Sequence, residues 1–284
     1  MKVHYECLSC IITQAQKVTE FSTEDVQLRK KAMIKVAKFL GENFDKSSIP
    51  AIIGSEVFLM LYGYLGNDDP FWNYKTKSNT IARSLVDDIK RQMNIDLKTA
   101  LKLSIAGNVI DFAVGYDPQR IEDDILEMID SELYIDQSHK LFEKLSRAKT
   151  LLYLTDNCGE IYFDKLFLEK IRAEFPELKI YIAAKEGPII NDATVTDLLN
   201  AGFQDIGSIV STGSRIVGVP LGKLSSKFVE IFRMTDVIIA KGQGNFETLS
   251  EFKDERVFYL LKAKCPPIAR ELKVPQGAMV CVKH

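Results

Sequence analysis

The strongest constraint on the fold is a change of pattern after residue 149. From there onward, short apolar runs alternate with helical patterns. The runs span residues 151–154, 180–184, 206–210, 237–240, 257–261 and 279–282. Strands that alternate with helices are typical of βαβ units, whose strands lie parallel in one sheet. We therefore predict an α/β fold with a mostly parallel sheet.

The first half of the chain has a different pattern, which is helical almost throughout. A capping-box-like start at Ser22 precedes one amphipathic stretch, the apolar stretch 49–65 reads as a buried helix, and Pro118 opens an acidic helix through Leu133. We predict two regions, a mainly helical one over residues 1–145 and an α/β domain over residues 146–284.

Polar clusters follow four of the predicted strands. Because right-handed crossovers bring the carboxyl ends of parallel strands to one edge, where ligands of open α/β sheets bind, we expect the clusters to share a crevice. In chain order the clusters are Asp156–Asn157, Asn191–Asp192, Ser211–Ser214 and Lys241–Asn245.

The first cluster has two interpretations. Asp156 and Asn157 offer adjacent oxygen ligands that suit a hard divalent cation such as Mg²⁺ or Mn²⁺. The same residues are also those that turns prefer. Asp192 is open to a similar choice, because an aspartate before Ala193 and Thr194 can serve as a helix N-cap alone.

The later clusters point towards phosphate. Ser211 lies in a Ser-Thr-Gly-Ser stretch whose hydroxyls and amides suit a phosphate group, although it also reads as a plain loop. Lys241 is a plausible phosphate ligand, whereas a lysine at a strand end more often reaches solvent. The stretch lacks the GK[ST] ending of a Walker motif and no GxGxxG follows the first strand, which disfavours nucleotide hydrolysis and a dinucleotide cofactor.

Histidine base catalysis is also disfavoured, because the three histidines, at positions 4, 139 and 284, lie outside the clusters. Carboxylates, amides, hydroxyls and one lysine remain. These groups fit metal-assisted chemistry on a phosphate.

Charge and hydropathy limit the classes of binding partner that we expect. Lysine plus arginine number 37 against 39 aspartates and glutamates, so the net charge of −2 provides no global attraction for nucleic acid or an anionic membrane. The apolar stretch 49–65 contains Pro50 and Glu56 and falls short of a membrane span. The amino-terminal residues lack a signal core, so we expect a cytoplasmic protein without nucleic-acid or membrane partners.

Five cysteines fit a reducing compartment. Cys7 and Cys10 form a CxxC pair, which supplies only two of the four ligands of a structural zinc. The pair therefore has a packing, a metal and a redox interpretation. A third ligand, His4 or Cys265, could come only from the three-dimensional fold.

Several of these motifs together resemble one known family. They are the TDNCGE stretch at residues 155–160, the KEGP stretch at 185–188 with Asn191 and Asp192, and the KGQGNFE stretch at 241–247. In this order they resemble the DUF89, or ARMT1-like, damage-control phosphatases. The AGNVID stretch at 106–111 and the CxxC pair are similar to a prokaryote-rich subfamily that carries CxxC. The resemblance covers essentially the whole chain.

The resemblance implies a helical amino-terminal region followed by a Rossmann-like, three-layer α/β/α domain. It implies a divalent cation, with Mn²⁺ or Ni²⁺ favoured over Co²⁺ or Mg²⁺, held by Asp156, Asn157 and Asp192. It places Lys241 on the substrate phosphate.

Further assignments follow from the same resemblance. Asn108 and Asp111 would form active-site wall, and the catalytic candidates are Asp156 and Asp111. The full phosphate-binding set is Lys241, Asn108, Ser211, Gly242 and Asn245. The chain departs from many members at Cys158 and lacks the RTxK element of another subfamily, so that subfamily's sugar-phosphate preference is not transferred.

The prediction is a metal-dependent phosphatase that hydrolyses small phosphomonoesters, with a role in clearing damaged or surplus metabolites. The oligomeric state stays open. The alternatives are a methyltransferase that uses S-adenosylmethionine and a non-catalytic module that binds zinc or senses redox state through its thiols. The missing glycine-rich first turn counts against the methyltransferase.

Overall fold

The structure is a computed structural model that describes residues 1–45, 47–107, 125 and 127–284. It begins with three helices, α1 (Tyr5–Ser22), α2 (Val26–Asn43) and α3 (Pro50–Leu65). The side chain of Asp25 accepts hydrogen bonds from the backbone amides of Gln27 and Leu28 and so caps α2. The three helices share an apolar core that includes Ile11, Val18, Val36, Leu40, Val57 and Leu61.

Two further helices, α4 (Trp72–Gln92) and α5 (Leu97–Gly107), pack on the α/β part of the chain. Their apolar faces lie against α7 (Glu160–Glu174). Gly107 ends α5 at a close approach, because a Cβ atom there would lie 2.9 Å from the Phe163 ring. Their core is therefore the core of the sheet rather than that of α1–α3.

Seven strands of the described residues form one sheet at the centre. Its order is β1-β7-β6-β5-β2-β3-β4, and every neighbouring pair is parallel except β6 with β7. The strands are β1 (Ile135–Asp136), β2 (Thr150–Leu154), β3 (Lys179–Ala184), β4 (Ser208–Ser211), β5 (Val237–Lys241), β6 (Val257–Lys262) and β7 (Met279–Lys283). The mostly parallel α/β fold is thus confirmed.

Helices cover both faces of this sheet. Alternate residues of β2 point to opposite sides, so that Leu151 and Tyr153 join one apolar core and Leu152 and Leu154 the other. The first core also contains residues of α4, α5, α7, α6 (Ser138–Leu145) and α8 (Val195–Asn200). The second contains residues of α9 (Ser226–Met234), α10 (Gly242–Leu249) and α11 (Pro266–Leu272). The three-layer α/β/α arrangement is confirmed.

The strand order reverses between β2 and β5. From β2 the chain winds outward through β3 to β4, then crosses back to place β5 on the other side of β2. In doubly wound sheets this reversal opens a crevice at the carboxyl ends of the two strands. Asp156 follows β2 and Gly242 follows β5, so both lie at the crevice.

Some sequence expectations differ in detail. The run 206–210 becomes a strand only from Ser208, because residues 203–205 form a 3₁₀ turn. Strand β1 was not predicted. Half of the acidic helix expected over residues 118–133 lies outside the described residues, and residues 125 and 127–130 are helical.

The division of the chain into two regions at residue 145 stays a prediction. Elements that precede residue 145 belong to the α/β part as well, because α4 and α5 contribute to the core of the sheet and β1 pairs with β7. No helix in the described ranges combines the length and apolar character needed to span a membrane.

Strand β1 is fixed by a carboxylate. Asp136 accepts a hydrogen bond from the Ser138 amide at 2.9 Å. It also forms an ion pair with Lys98 Nζ, again at 2.9 Å. Burial alone would raise the pKa of Asp136, but these bonds outweigh it and lower the pKa to about 2. The stabilisation is therefore present above the ordinary pKa of 3.8 and is lost as pH falls towards 2.

Replacing Asp136 by Asn should lower the free energy of unfolding by about 1–2 kcal/mol at pH 7, a figure reduced for partial exposure. The loss should shrink steadily below pH 4. Urea unfolding across this pH range measures both, with the exposed Asp130→Asn as control. A loss that does not depend on pH would contradict the assignment.

Candidate active site

Backbone pairing joins the loops that follow β2 and β3. Asn157 and Asp192 form an antiparallel bridge, the Ala193 amide donates to the Asp156 carbonyl at 2.8 Å, and the Cys158 amide donates to the Asn191 carbonyl at 2.9 Å. The pairing places Asp156, Asn157 and Asp192 side by side, although Asp192 is 35 residues beyond Asn157. The structure thus brings together the three predicted metal ligands.

The loop that carries Asp192 is held by the amino-terminal helices. The amide of Ile190 donates to the Tyr62 hydroxyl of α3 at 2.8 Å, and the neighbouring Ile189 is buried in the α1–α3 core. Ile190 has a φ of +39°, a strained value for a β-branched residue. Such strain persists only where the surroundings hold it, so the helical region positions this loop.

Gly242 forms the other side of the crevice, at the end of β5. Its φ is +72°, and a Cβ atom on it would lie only 1.9 Å from Asp156 Oδ2. Any side chain would therefore displace the Asp156 carboxylate. The chain needs glycine here for two independent reasons, the backbone angle and the space.

Asp192 is buried beside a lysine. Its Oδ2 lies 3.7 Å from Lys185 Nζ, at ion-pair distance, and makes no hydrogen bond to the described residues. Lys185 Nζ also donates to the Gly218 carbonyl. Burial raises the pKa of Asp192 to about 6, although Lys185 favours its ionised form, and burial lowers the pKa of Lys185. Because Asp192 Oδ2 has no hydrogen bond to the described residues, it can accept a further cation.

A second buried cluster lies behind the first. Lys241 Nζ lies 2.5 Å from both Glu160 Oε1 and Asp164 Oδ1, and it donates to the Ser104 carbonyl at 2.9 Å. The lysine is fully buried. Burial would lower the pKa of Lys241, but the two carboxylates outweigh it and raise the pKa, so the side chain stays charged. We call Lys241, Glu160 and Asp164 the charge cluster.

This arrangement gives Lys241 partners other than the predicted phosphate. An ammonium group has three hydrogens to donate, and here each has an acceptor within the protein. The phosphate contact of Lys241 stays a prediction. What the structure adds is an internal role, in which Lys241 offsets the charge of two buried carboxylates.

Two other predicted phosphate ligands also have internal partners. Asn245 is buried and its Nδ2 donates to the Lys241 carbonyl at 2.7 Å. Ser211 Oγ, at the end of the edge strand β4, donates to Glu186 and accepts from the Gly213 amide at 2.9 Å. Their phosphate contacts stay predictions. Asn108 and Asp111 lie outside the described residues.

A cavity of about 690 Å³ opens in front of Asp156, Asn157 and Asp192. Helix α1 forms one wall, and the segments that follow β5 and β6 form the other. Polar residues around it include Ser9, Thr13, Gln14, Lys17, Asn191, Gln243, Glu247 and Lys264. The volume is large enough for a small metabolite.

Three of the five free cysteines line the same cavity. They are Cys7, Cys10 and Cys265, which the sequence had named as potential partners. Burial raises the pKa of each thiol. Within the described part of the chain, no three His, Cys, Asp or Glu side chains converge as a ready metal site. The metal and redox interpretations of CxxC stay predictions.

The candidate metal set, two carboxylates and one amide, fits a hard cation. Its donors are oxygens, and Asp192 Oδ2 is buried without a hydrogen bond to the described residues. Two buried carboxylates, Asp156 and Asp192, meet at the candidate site beside the buried Lys185. The excess negative charge in a buried region favours a bound cation.

Sequence reasoning missed Glu160, Asp164 and Lys185 as contributors to this region. Glu160 and Asp164 are four residues apart at the start of α7, so helical spacing indicated one shared face. It gave no indication that a lysine 77 residues beyond Asp164 would contact both carboxylates. Lys185 was quoted within a motif, but only the fold shows its proximity to Asp192.

The charge cluster yields a stability prediction. Lys241→Met should lower the free energy of unfolding by about 3–5 kcal/mol, because it leaves two buried carboxylates without their counter-ion. Urea unfolding measures the change, with the exposed Lys227→Met as the matched control. If Lys241 instead serves mainly to bind phosphate, the variant should keep its stability and show a raised KM. That result would contradict the internal role.

Comparisons with known proteins agree with the resemblance seen in the motifs. The family model for the damage-control phosphatase ARMT1-like domain matches residues 3–280. A Pyrococcus horikoshii protein named damage-control phosphatase PH1575 is 56% identical over 284 residues, which are 100% of this chain and 99% of the relative. An Archaeoglobus fulgidus protein named damage-control phosphatase is 31% identical, over 99% of this chain and 98% of the relative.

A solved structure gives the same result. The crystal structure of the P. horikoshii protein, described as a DUF89 family protein, superimposes with a TM-score of 0.96 and covers 100% of this chain and 99% of that chain. The family match and the full-length identities leave one conclusion. This chain belongs to the DUF89 family, whose members carry the damage-control phosphatase ARMT1-like domain.

Proposed function

We propose that the protein is a metal-dependent phosphatase that hydrolyses small phosphomonoesters, with a damage-control role towards surplus or damaged metabolites. The observation that carries this proposal is the bridge between Asn157 and Asp192, which groups three oxygen ligands at the strand reversal. The names of the P. horikoshii and A. fulgidus relatives support the phosphatase part. Metal dependence rests on the chemistry of the ligand set.

Asp156, Asn157 and Asp192 would hold the cation, with Mn²⁺ or Ni²⁺ favoured and Co²⁺ or Mg²⁺ as alternatives. When bound, the cation supplies positive charge that polarises the phosphoryl oxygens. Lys185 lies close enough to Asp192 to favour its ionised, ligating form. Asp156 would attack phosphorus as the nucleophile, or would accept the proton of an attacking water.

The phosphate oxygens that the cation does not contact would bind at the amino-terminal end of α10. The first turn of this helix leaves backbone amides unpaired, and Gln243 and Gly244 line the cavity next to Asp156. Lys264 lines the same wall and adds a positive charge. This keeps Gly242 in the predicted phosphate set through its amide and adds Lys264 to it.

A chelator experiment tests the proposal. Protein stripped with EDTA should have no phosphatase activity on a panel of small phosphomonoesters, and Mn²⁺ or Ni²⁺ should restore it. Asp156→Asn and Asp192→Asn should each lower kcat at least about 100-fold, the scale of losing one preorganised electrostatic contact. The cation should also raise the Tm of the wild type, because a ligand that binds the native state stabilises it.

Asp205→Asn, at an exposed aspartate in the 3₁₀ turn before the edge strand β4, is the control and should keep full activity. Full activity of the stripped enzyme would contradict metal dependence. Absence of phosphatase activity, together with calorimetric binding of S-adenosylmethionine without metal, would favour the methyltransferase instead.

A further inference from the structure

We infer that Glu160 is a positioning residue, which fixes the Asn157 carboxamide so that its oxygen faces the candidate cation site. The inference rests on the proposed metal-dependent function and adds to it a residue that does not itself ligate. It is carried by the contacts of one amide group and by the charge cluster behind it.

The Asn157 amide lies between two carboxylates. Its Nδ2 is 2.7 Å from Asp156 Oδ2 and 3.2 Å from Glu160 Oε2. Ionised carboxylates only accept hydrogen bonds, so the nitrogen end of the amide belongs there and the oxygen end does not. The oxygen is then directed away from both carboxylates, on a residue that lines the cavity.

Glu160 is itself held in place. It is the first residue of α7 and is buried, and its Oε1 lies 2.5 Å from Lys241 Nζ. Its two oxygens therefore face two donors, the Lys241 ammonium on one side and the Asn157 amide nitrogen on the other. Only a side chain with two hydrogen-bond acceptor atoms, such as a carboxylate, can accept from both donors at once.

This requirement predicts an unusual effect of an isosteric change. A glutamine at position 160 has one acceptor end and one donor end. The charged Lys241 would take the oxygen, because hydrogen bonds to ionised donors are the stronger ones. The glutamine NH₂ would then face the Asn157 NH₂, so the Asn157 amide would lose its acceptor on the Glu160 side. The contact with Asp156 would remain, but the amide oxygen would no longer be fixed towards the cation site from two sides.

The charge cluster offers a matched control. Asp164 Oδ1 accepts from Lys241, Ser104 and Tyr153, whereas its Oδ2 has no hydrogen-bond partner among the described residues. Asp164→Asn therefore keeps the accepting oxygen and removes one negative charge from Lys241, as Glu160→Gln does. It does not alter any contact that the structure gives Asn157.

Calorimetric titration of Mn²⁺ into the stripped full-length protein tests the inference. Glu160→Gln should weaken Mn²⁺ binding about 10–100-fold, the usual effect of losing the partner that orients a metal ligand. Asp164→Asn should bind Mn²⁺ as the wild type does, while urea unfolding shows both variants destabilised. A purely structural role of Glu160 would instead weaken binding equally in both.

Equal Mn²⁺ affinity in Glu160→Gln and the wild type would overturn the inference and leave the proposed function intact. A wild type that binds no Mn²⁺ or Ni²⁺ would contradict the proposed function itself. If circular dichroism shows Glu160→Gln unfolded, Glu160→Asp takes its place. It keeps the negative charge but shortens the reach to Asn157 and to Lys241, so it should also weaken binding.

Discussion

The pairing between the loops after β2 and β3 is the interaction on which the site depends. Two backbone hydrogen bonds, donated by the amides of Ala193 and Cys158, form the Asn157–Asp192 bridge and join the two loops. We call the paired segments, residues 156–158 and 191–193, the ledge. The strained Ile190 and its bond to Tyr62 anchor that ledge to α3. The helical region is therefore part of the site, because it fixes the loop that carries Asp192.

Burial of charge is the second constraint. Carboxylates this deep are unfavourable unless each meets a positive charge or a donor. Lys241 forms ion pairs with Glu160 and Asp164, and Lys185 forms one with Asp192. The Asn157 amide donates to both Asp156 and Glu160 and so links them. A continuous polar chain thus runs from the core to the cavity. The remaining negative charge at its cavity end is what makes a divalent cation a chemically reasonable ligand there.

The sequence predicted much of this architecture. Continuous apolar runs identified six strands because both faces of a parallel sheet are buried. Strand β1 was missed because two residues carry no pattern and owe their extended form to β7. The meeting of Asp156, Asn157 and Asp192 followed from the rule that parallel strands end on one edge. The partners of Lys241 did not, because they depend on side-chain packing between β5 and α7, which no local pattern encodes.

The central claim is that this ledge holds one cation. Anomalous diffraction from crystals grown with Mn²⁺ tests it most directly. We expect a single manganese peak bonded by Asp156, Asn157 and Asp192. A crevice without a peak, or a peak among the thiols of Cys7, Cys10 and Cys265, would contradict it.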